Sequence, residues 1–146
     1  MPTIMIVIFF ALLGGFAVGL QGPLSSMITE RIGVMESIFI VHISGALMIS
    51  VPLVLRGGGN LGQWRHVPWY ALLSGGFGLV IIAAISFAIP RVGVAATVTL
   101  VVAGQLLLSV MIDHFGLLGV QVRHIDLPRV IGVLVLFVGV WLIVRE

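Results

Sequence analysis

The sequence predicts an all-α integral membrane protein, one domain over residues 1–146 with five transmembrane helices. Three observations predict it. The 146 residues are 60% hydrophobic and only 8% charged, whereas a soluble domain carries roughly 25% charged residues to keep its surface wet. Mean hydropathy is +1.31, which also excludes a disordered chain, because too little polarity is present to solvate the backbone. Charge-free stretches cover 3–29, 37–55, 66–90, 92–112 and 130–144, and a bilayer crossing needs about 20 predominantly apolar residues. With their flanks, the spans are placed at about 3–29, 36–55, 67–90, 92–112 and 127–144. The first span has no charged n-region before it and no small-residue cleavage site between it and the next span, so it reads as a span and not as a cleavable signal.

Span one is too long for a straight crossing: residues 3–29 extend about 40 Å against a hydrocarbon core of about 30 Å. A tilt or a kink is required. Pro23 has no N–H for the carbonyl of Gly19, and Gly22 softens the same turn. Gly19, Gly22 and Pro23 therefore mark the expected helix break, opening toward a water-accessible cavity. At about 100° per residue, Gly15, Gly19, Gly22 and Ser26 form one small stripe. Gly14, Ala17, Gln21 and Ser25 form a neighbouring one. Such glycines serve close helix packing, and Gln21 beside the proline either lines a cavity or makes a packing hydrogen bond.

Span two begins with Glu36, whose negative charge favours a helix N-terminus. His42 within it reads as a hydrogen-bonded packing residue, with proton handling as the alternative, and Pro52 ends or kinks the span. Arg56 to Arg65 is a glycine-rich loop. Trp64, Trp69 and Tyr70 stand at interfacial positions, as does Trp141 near the end of span five. In span three, Ser74, Gly75, Gly76 and Gly78 look like a helix-contact face. Arg91 follows Pro90 in a very short connection and is an interfacial anchor. Span four carries Gln105, Ser109 and Asp113 at i, i+4 and i+8, along one slowly drifting face. Gln105 lies well inside the bilayer, where an amide needs a partner or water. Asp113, at the helix end, either organises the following turn or forms a charged rim of a substrate path. Gly93, Thr97 and Gly104 form a separate small face. Span five is short; Asp126 caps it, Pro128 suits its first turn, and Arg129 snorkels to the headgroups.

Catalysis finds no constellation here. No metalloprotease helix, phosphate loop, nucleophile elbow or nucleotide fingerprint occurs, no acidic cluster could hold a metal, and no cofactor is expected. The chain has no cysteine, which removes disulfides and thiolate chemistry. Its high isoelectric point, about 10.5, comes from seven scattered arginines and no lysine; they make no basic stripe, so nucleic acid is not a partner.

Five spans put the termini on opposite sides. Arg56, Arg65, Arg123 and Arg129 then share one side, and Arg31, Arg91 and Arg145 share the other. A difference of one is a weak orientation signal under the positive-inside rule. Insertion in both directions follows, and two inverted copies would form an antiparallel homodimer, the equivalent of a ten-helix inverted repeat.

Gly104-Gln105-Leu106, Ser109 and Ile112-Asp113-His114-Phe115-Gly116, with Gly19-Leu20-Gln21 and Gly75-Gly76-Phe77-Gly78, resemble the YdcZ-type small membrane proteins of the drug/metabolite transporter superfamily. The similarity runs over essentially the whole chain. It implies five-helix inner-membrane proteins that pair as antiparallel dimers, and it points to Gln21, Gln105 and Asp113. Related small multidrug exporters use a glutamate deep in their first helix. No span here has a mid-membrane carboxylate, so proton exchange on one central glutamate is not supported.

The function expected is small-molecule secondary transport by alternating access in a dual-topology dimer, with no enzymatic activity. Gln21, Ser25, Gln105, Ser109 and Asp113 are the candidate substrate-binding residues. A passive channel of dual topology, or one subunit of a heterodimeric transporter, are the alternatives.

Overall fold

The computed structural model describes residues 2–145, with side chains from residue 4, and every regular element among them is helical. The ends of the expected domain, residues 1 and 146, lie outside the described residues. Helix α1 covers Pro2–Ile32, α2 Val34–Leu55, α3 Trp69–Leu72, α4 Ser74–Phe115 and α5 Leu127–Val144, with 3-10 turns at Leu61–His66 and Leu117–Gly119. Four helical runs among the described residues are long and apolar enough to cross a membrane: Ile4–Ile32, Val34–Leu55, Trp69–Phe115 and Leu127–Val144.

Helix α1 extends past the expected end to include Glu30 and Arg31, and a single residue joins it to α2. Gly33 has φ 108° and ψ 163°, a conformation open to glycine because it has no Cβ. Its N–H donates to the Thr29 carbonyl at 2.9 Å, and its own carbonyl accepts from Ser37 N–H at 3.1 Å. The fully buried Ser37 hydroxyl then donates to the Ser25 carbonyl at 2.9 Å, pinning the start of α2 against α1. Glu36 occupies the first turn of α2, where its negative charge favours the helix dipole.

Spans three and four form one run of 42 residues, α4, interrupted at Gly93 with φ 80° and ψ 169°. The expected connection at Pro90–Arg91 stays helical. Proline's fixed φ suits a helix, and only its N–H is missing. The turn falls at the next residue that lacks a Cβ. Beyond it the Thr97 hydroxyl donates to the Gly93 carbonyl at 2.7 Å. Asp126 caps α5 as expected, its Oδ1 accepting the Arg129 N–H at 3.0 Å, and Pro128 sits in the first turn.

Two compact units divide between Pro90 and Arg91. In the first, Ile82 and Ile85 are buried; in the second, Ala96, Ala103 and Val140. Large apolar side chains face outward instead, with Phe16 74% and Met48 76% exposed. Such a surface belongs in lipid, where exposing apolar side chains costs nothing and every backbone polar group is answered within a helix. Aromatic–cation pairs stand at its margins: Arg65 lies 5.6 Å from the Trp64 ring and Arg145 lies 4.9 Å from the Trp141 ring.

His42 and Gly78 explain each other. The ring Nδ1 lies 2.8 Å from the Ile38 carbonyl, and Nε2 lies 2.7 Å from where a Cβ on residue 78 would stand. Gly78→Ala should therefore bring no stability in the native background, because the ring must leave its bond to Ile38. In a His42→Ala background the same change is expected to stabilise by about 1 kcal/mol, the helix-propensity difference. Thermal unfolding of the four proteins of this double-mutant cycle in detergent checks it, and additive effects would exclude the contact.

Candidate functional site

A groove of about 580 Å³ runs between α1 and α2 in the first unit, walled by Leu20, Leu24, Ile28, Ile40 and Met48 and carrying Gln21, Ser25 and Ser44. Its size suits a small organic molecule, for which pockets span roughly 300–1,000 Å³. Two of the three polar side chains are already committed. The Ser25 hydroxyl donates to the Gly22 carbonyl at 2.9 Å, and the Ser44 hydroxyl donates to Val41 at 3.0 Å. Gln21 is exposed and makes no hydrogen bond within the described residues, so its amide has two donors and an acceptor to offer. No charged side chain lines the groove. This is an apolar site with one uncommitted amide.

Near the groove, α1 runs continuously through Gly19, Gly22 and Pro23. Gly22 is packed against the first half of α4: a Cβ there would stand 3.2 Å from Ile85 Cγ2 and 3.5 Å from Ile89 Cδ1. Gly19, in contrast, has open space beside it. Gly22 thus serves close packing, and the carbonyl that Pro23 leaves unanswered belongs to the less crowded turn.

Gln105, Ser109 and Asp113 lie in the second unit. Gln105 and Ser109 are exposed, midway and late in the part of α4 after the break, and neither makes a hydrogen bond within the described residues. Asp113 organises the turn. Its carboxylate lies 3.9 Å from Arg129 Nη1, and its carbonyl accepts the Arg123 N–H at 2.8 Å. Arg129 also donates to the Arg123 carbonyl at 3.0 Å. His114 Nδ1 accepts the Ile125 N–H at 3.2 Å, and the His114 and His124 rings meet edge to face at 5.5 Å. The segment from Arg123 to Arg129 is thereby tied to the end of α4. These bonds depend on which residues return to Asp113, a non-local fact that the i, i+4, i+8 spacing does not carry.

A further set of polar groups includes Ser26 of the small-residue stripe and two residues, Thr29 and Ser86, that no sequence pattern singles out. The hydroxyls of Ser26, Thr29 and Ser86 are buried and have no hydrogen-bond partner among the described residues.

Comparison with known proteins agrees with this membrane architecture. Residues 6–142 match the family model described as "Putative inner membrane exporter, YdcZ", and the chain belongs to that family. It is 27% identical over 140 residues to the inner membrane protein YdcZ of Escherichia coli (strain K12), covering 94% of this chain and 93% of that protein. No solved structure matches the chain. The protein is a multi-pass inner membrane protein of an exporter family.

Proposed function

We propose that this YdcZ-family protein is a small-molecule secondary transporter, working by alternating access as an antiparallel, dual-topology homodimer. Two polar amides support the reading. Gln21 and Gln105 are exposed within apolar helices and have no partner within the described residues. Lipid offers an amide nothing, so each needs water, substrate or another chain. The groove beside Gln21 supplies the volume, and its lining sets the chemistry: a largely apolar, uncharged solute that exchanges hydrogen bonds with one carboxamide. Ser25 contributes shape and an acceptor lone pair. Gln105 and Ser109 serve the transport path as a second polar face, and Asp113 holds the turn at its end. The gap at Gly19 and Pro23 gives α1 a place to flex, and the turn at Gly93 makes α4 two spans, five in all.

Topology provides the test. The near-even distribution of arginines gives little preference for either insertion. C-terminal reporters are expected on both faces of the inner membrane in comparable amounts, and two or three arginines added to one side's loops should drive the whole population one way. A single orientation in the unmodified protein, together with a working homodimer, would refute the antiparallel assembly.

A further inference from the structure

Serine and threonine in apolar helices ordinarily bond back to a carbonyl of the preceding turn. Ser25, Ser44, Ser50, Thr97 and Thr99 all do so here. Ser26, Thr29 and Ser86 do not, although Ser26 and Ser86 are each only 2% exposed. A buried hydroxyl without a partner is costly, and three on two contacting helices of the first unit point to something that answers them.

Their placement says what. Ser26 lies one turn after Gly22, whose neighbours Ile85 and Ile89 flank Ser86 on α4. The buried positions 22, 25 and 26 of α1 recur as 82, 85 and 86 of α4, so the two helices cross on matching faces. Pro90 has no N–H to bond the Ser86 carbonyl. The first half of α4 ends just beyond, at Gly93, and the end of a helix carries partial negative charge. Glu30, exposed, follows Thr29 directly, and Arg31 is exposed in the last turn of α1. The offered groups are thus neutral, hard oxygens at a helix C-terminus. An anion could take the hydroxyl protons but would face the Ser86 carbonyl and the negative end of the helix, and a divalent ion finds no inward carboxylate. Carbonyls of interrupted helices and their C-terminal ends are the chemistry that binds monovalent cations in transporters.

We infer that the α1–α4 crossing holds an alkali-cation site whose ligands are the hydroxyls of Ser26, Thr29 and Ser86 and the Ser86 carbonyl. It is separate from the α1–α2 groove, and it does not depend on what that groove carries.

The test uses the purified full chain in detergent, melted at equal ionic strength in sodium, potassium or choline chloride. Anything that binds only the folded state stabilises it by mass action. Sodium or potassium should raise Tm by several degrees over choline. Ser26→Ala and Ser86→Ala should remove that difference while melting in choline at least as high as the native protein. Ser50→Ala, whose hydroxyl is back-bonded, should retain it. Equal Tm in all three salts would mean that ordered water alone fills the crossing and would overturn the inference, as would a cation shift that survives both substitutions. Should either alanine variant fail to fold, radioactive sodium binding to the native protein decides: one saturable ion per chain supports the site, and none refutes it.

Discussion

Gln21→Leu is expected to abolish transport and ligand binding while leaving expression and assembly nearly intact. The amide is exposed, unbonded and placed in the groove between α1 and α2. Its loss therefore removes no internal hydrogen bond. Leucine is close in volume and more soluble in the surrounding hydrocarbon, so the folded chain loses little. Hydrogen bonds between membrane helices average only about 0.6 kcal/mol, and even an inter-subunit bond from Gln21 would be a small part of assembly energy. A substrate that meets the amide in an apolar groove loses much more, because its own polar group is left unpaired there. Unpaired buried groups cost about 1–3 kcal/mol, or roughly 5- to 150-fold in affinity. Flux into proteoliposomes, beside detergent-resistant dimer yield, separates the two effects. Normal flux in the leucine variant would make Gln21 a packing residue. The groove would then bind lipid or a second copy of the chain. Gln105→Leu tests the second polar face in the same way, and loss in one variant alone would assign the substrate contact to that face.

The membrane class was legible in composition, and so were features fixed by local chemistry. Asp126 three residues before Arg129 at the start of an apolar run is a capping signal readable from one sequence, and the structure places that bond. Other features failed to show for a common reason. In water, an apolar stripe tells which face of a helix is buried. In a membrane both the lipid face and the packed face are apolar, so Ile85, buried, and Phe87, 60% exposed, look alike in sequence. Ser26 accordingly reads as one more member of a small packing stripe and Ser86 carries no signal at all, and their lack of partners among the described residues comes only from the fold. His42 against Gly78 is likewise a contact between separate helices. Asp113 had two readings at the start. Its carbonyl accepts from Arg123 and its carboxylate lies 3.9 Å from Arg129, residues ten and sixteen positions further along that no local spacing brings to it.

Gly93→Ala is expected to be the most damaging single methyl in the chain. The position has φ 80° and ψ 169°, a region essentially reserved for glycine, where a side chain costs on the order of 1–3 kcal/mol of strain. The space around it is open, so the penalty comes from the backbone and not from collision. What that backbone achieves sets the scale. The 42 residues of α4 would extend about 63 Å as a straight helix, twice the hydrocarbon core of about 30 Å. A continuous helix cannot keep all of its apolar residues in one crossing, so the proposed division into two spans depends on the interruption at Gly93. Alanine favours the helix by about 1 kcal/mol over glycine, which pushes the same way as the strain, toward straightening. Membrane-inserted yield and thermal stability should both fall, and in a background driven to one orientation by added loop arginines the C-terminal reporter should move to the other face in the surviving protein. Gly104→Ala is the matched control: it lies inside the helix with open space beside it, and there the same methyl should be neutral or slightly stabilising. Equal behaviour of the two variants would mean that the chain turns elsewhere, with Pro90 the remaining candidate.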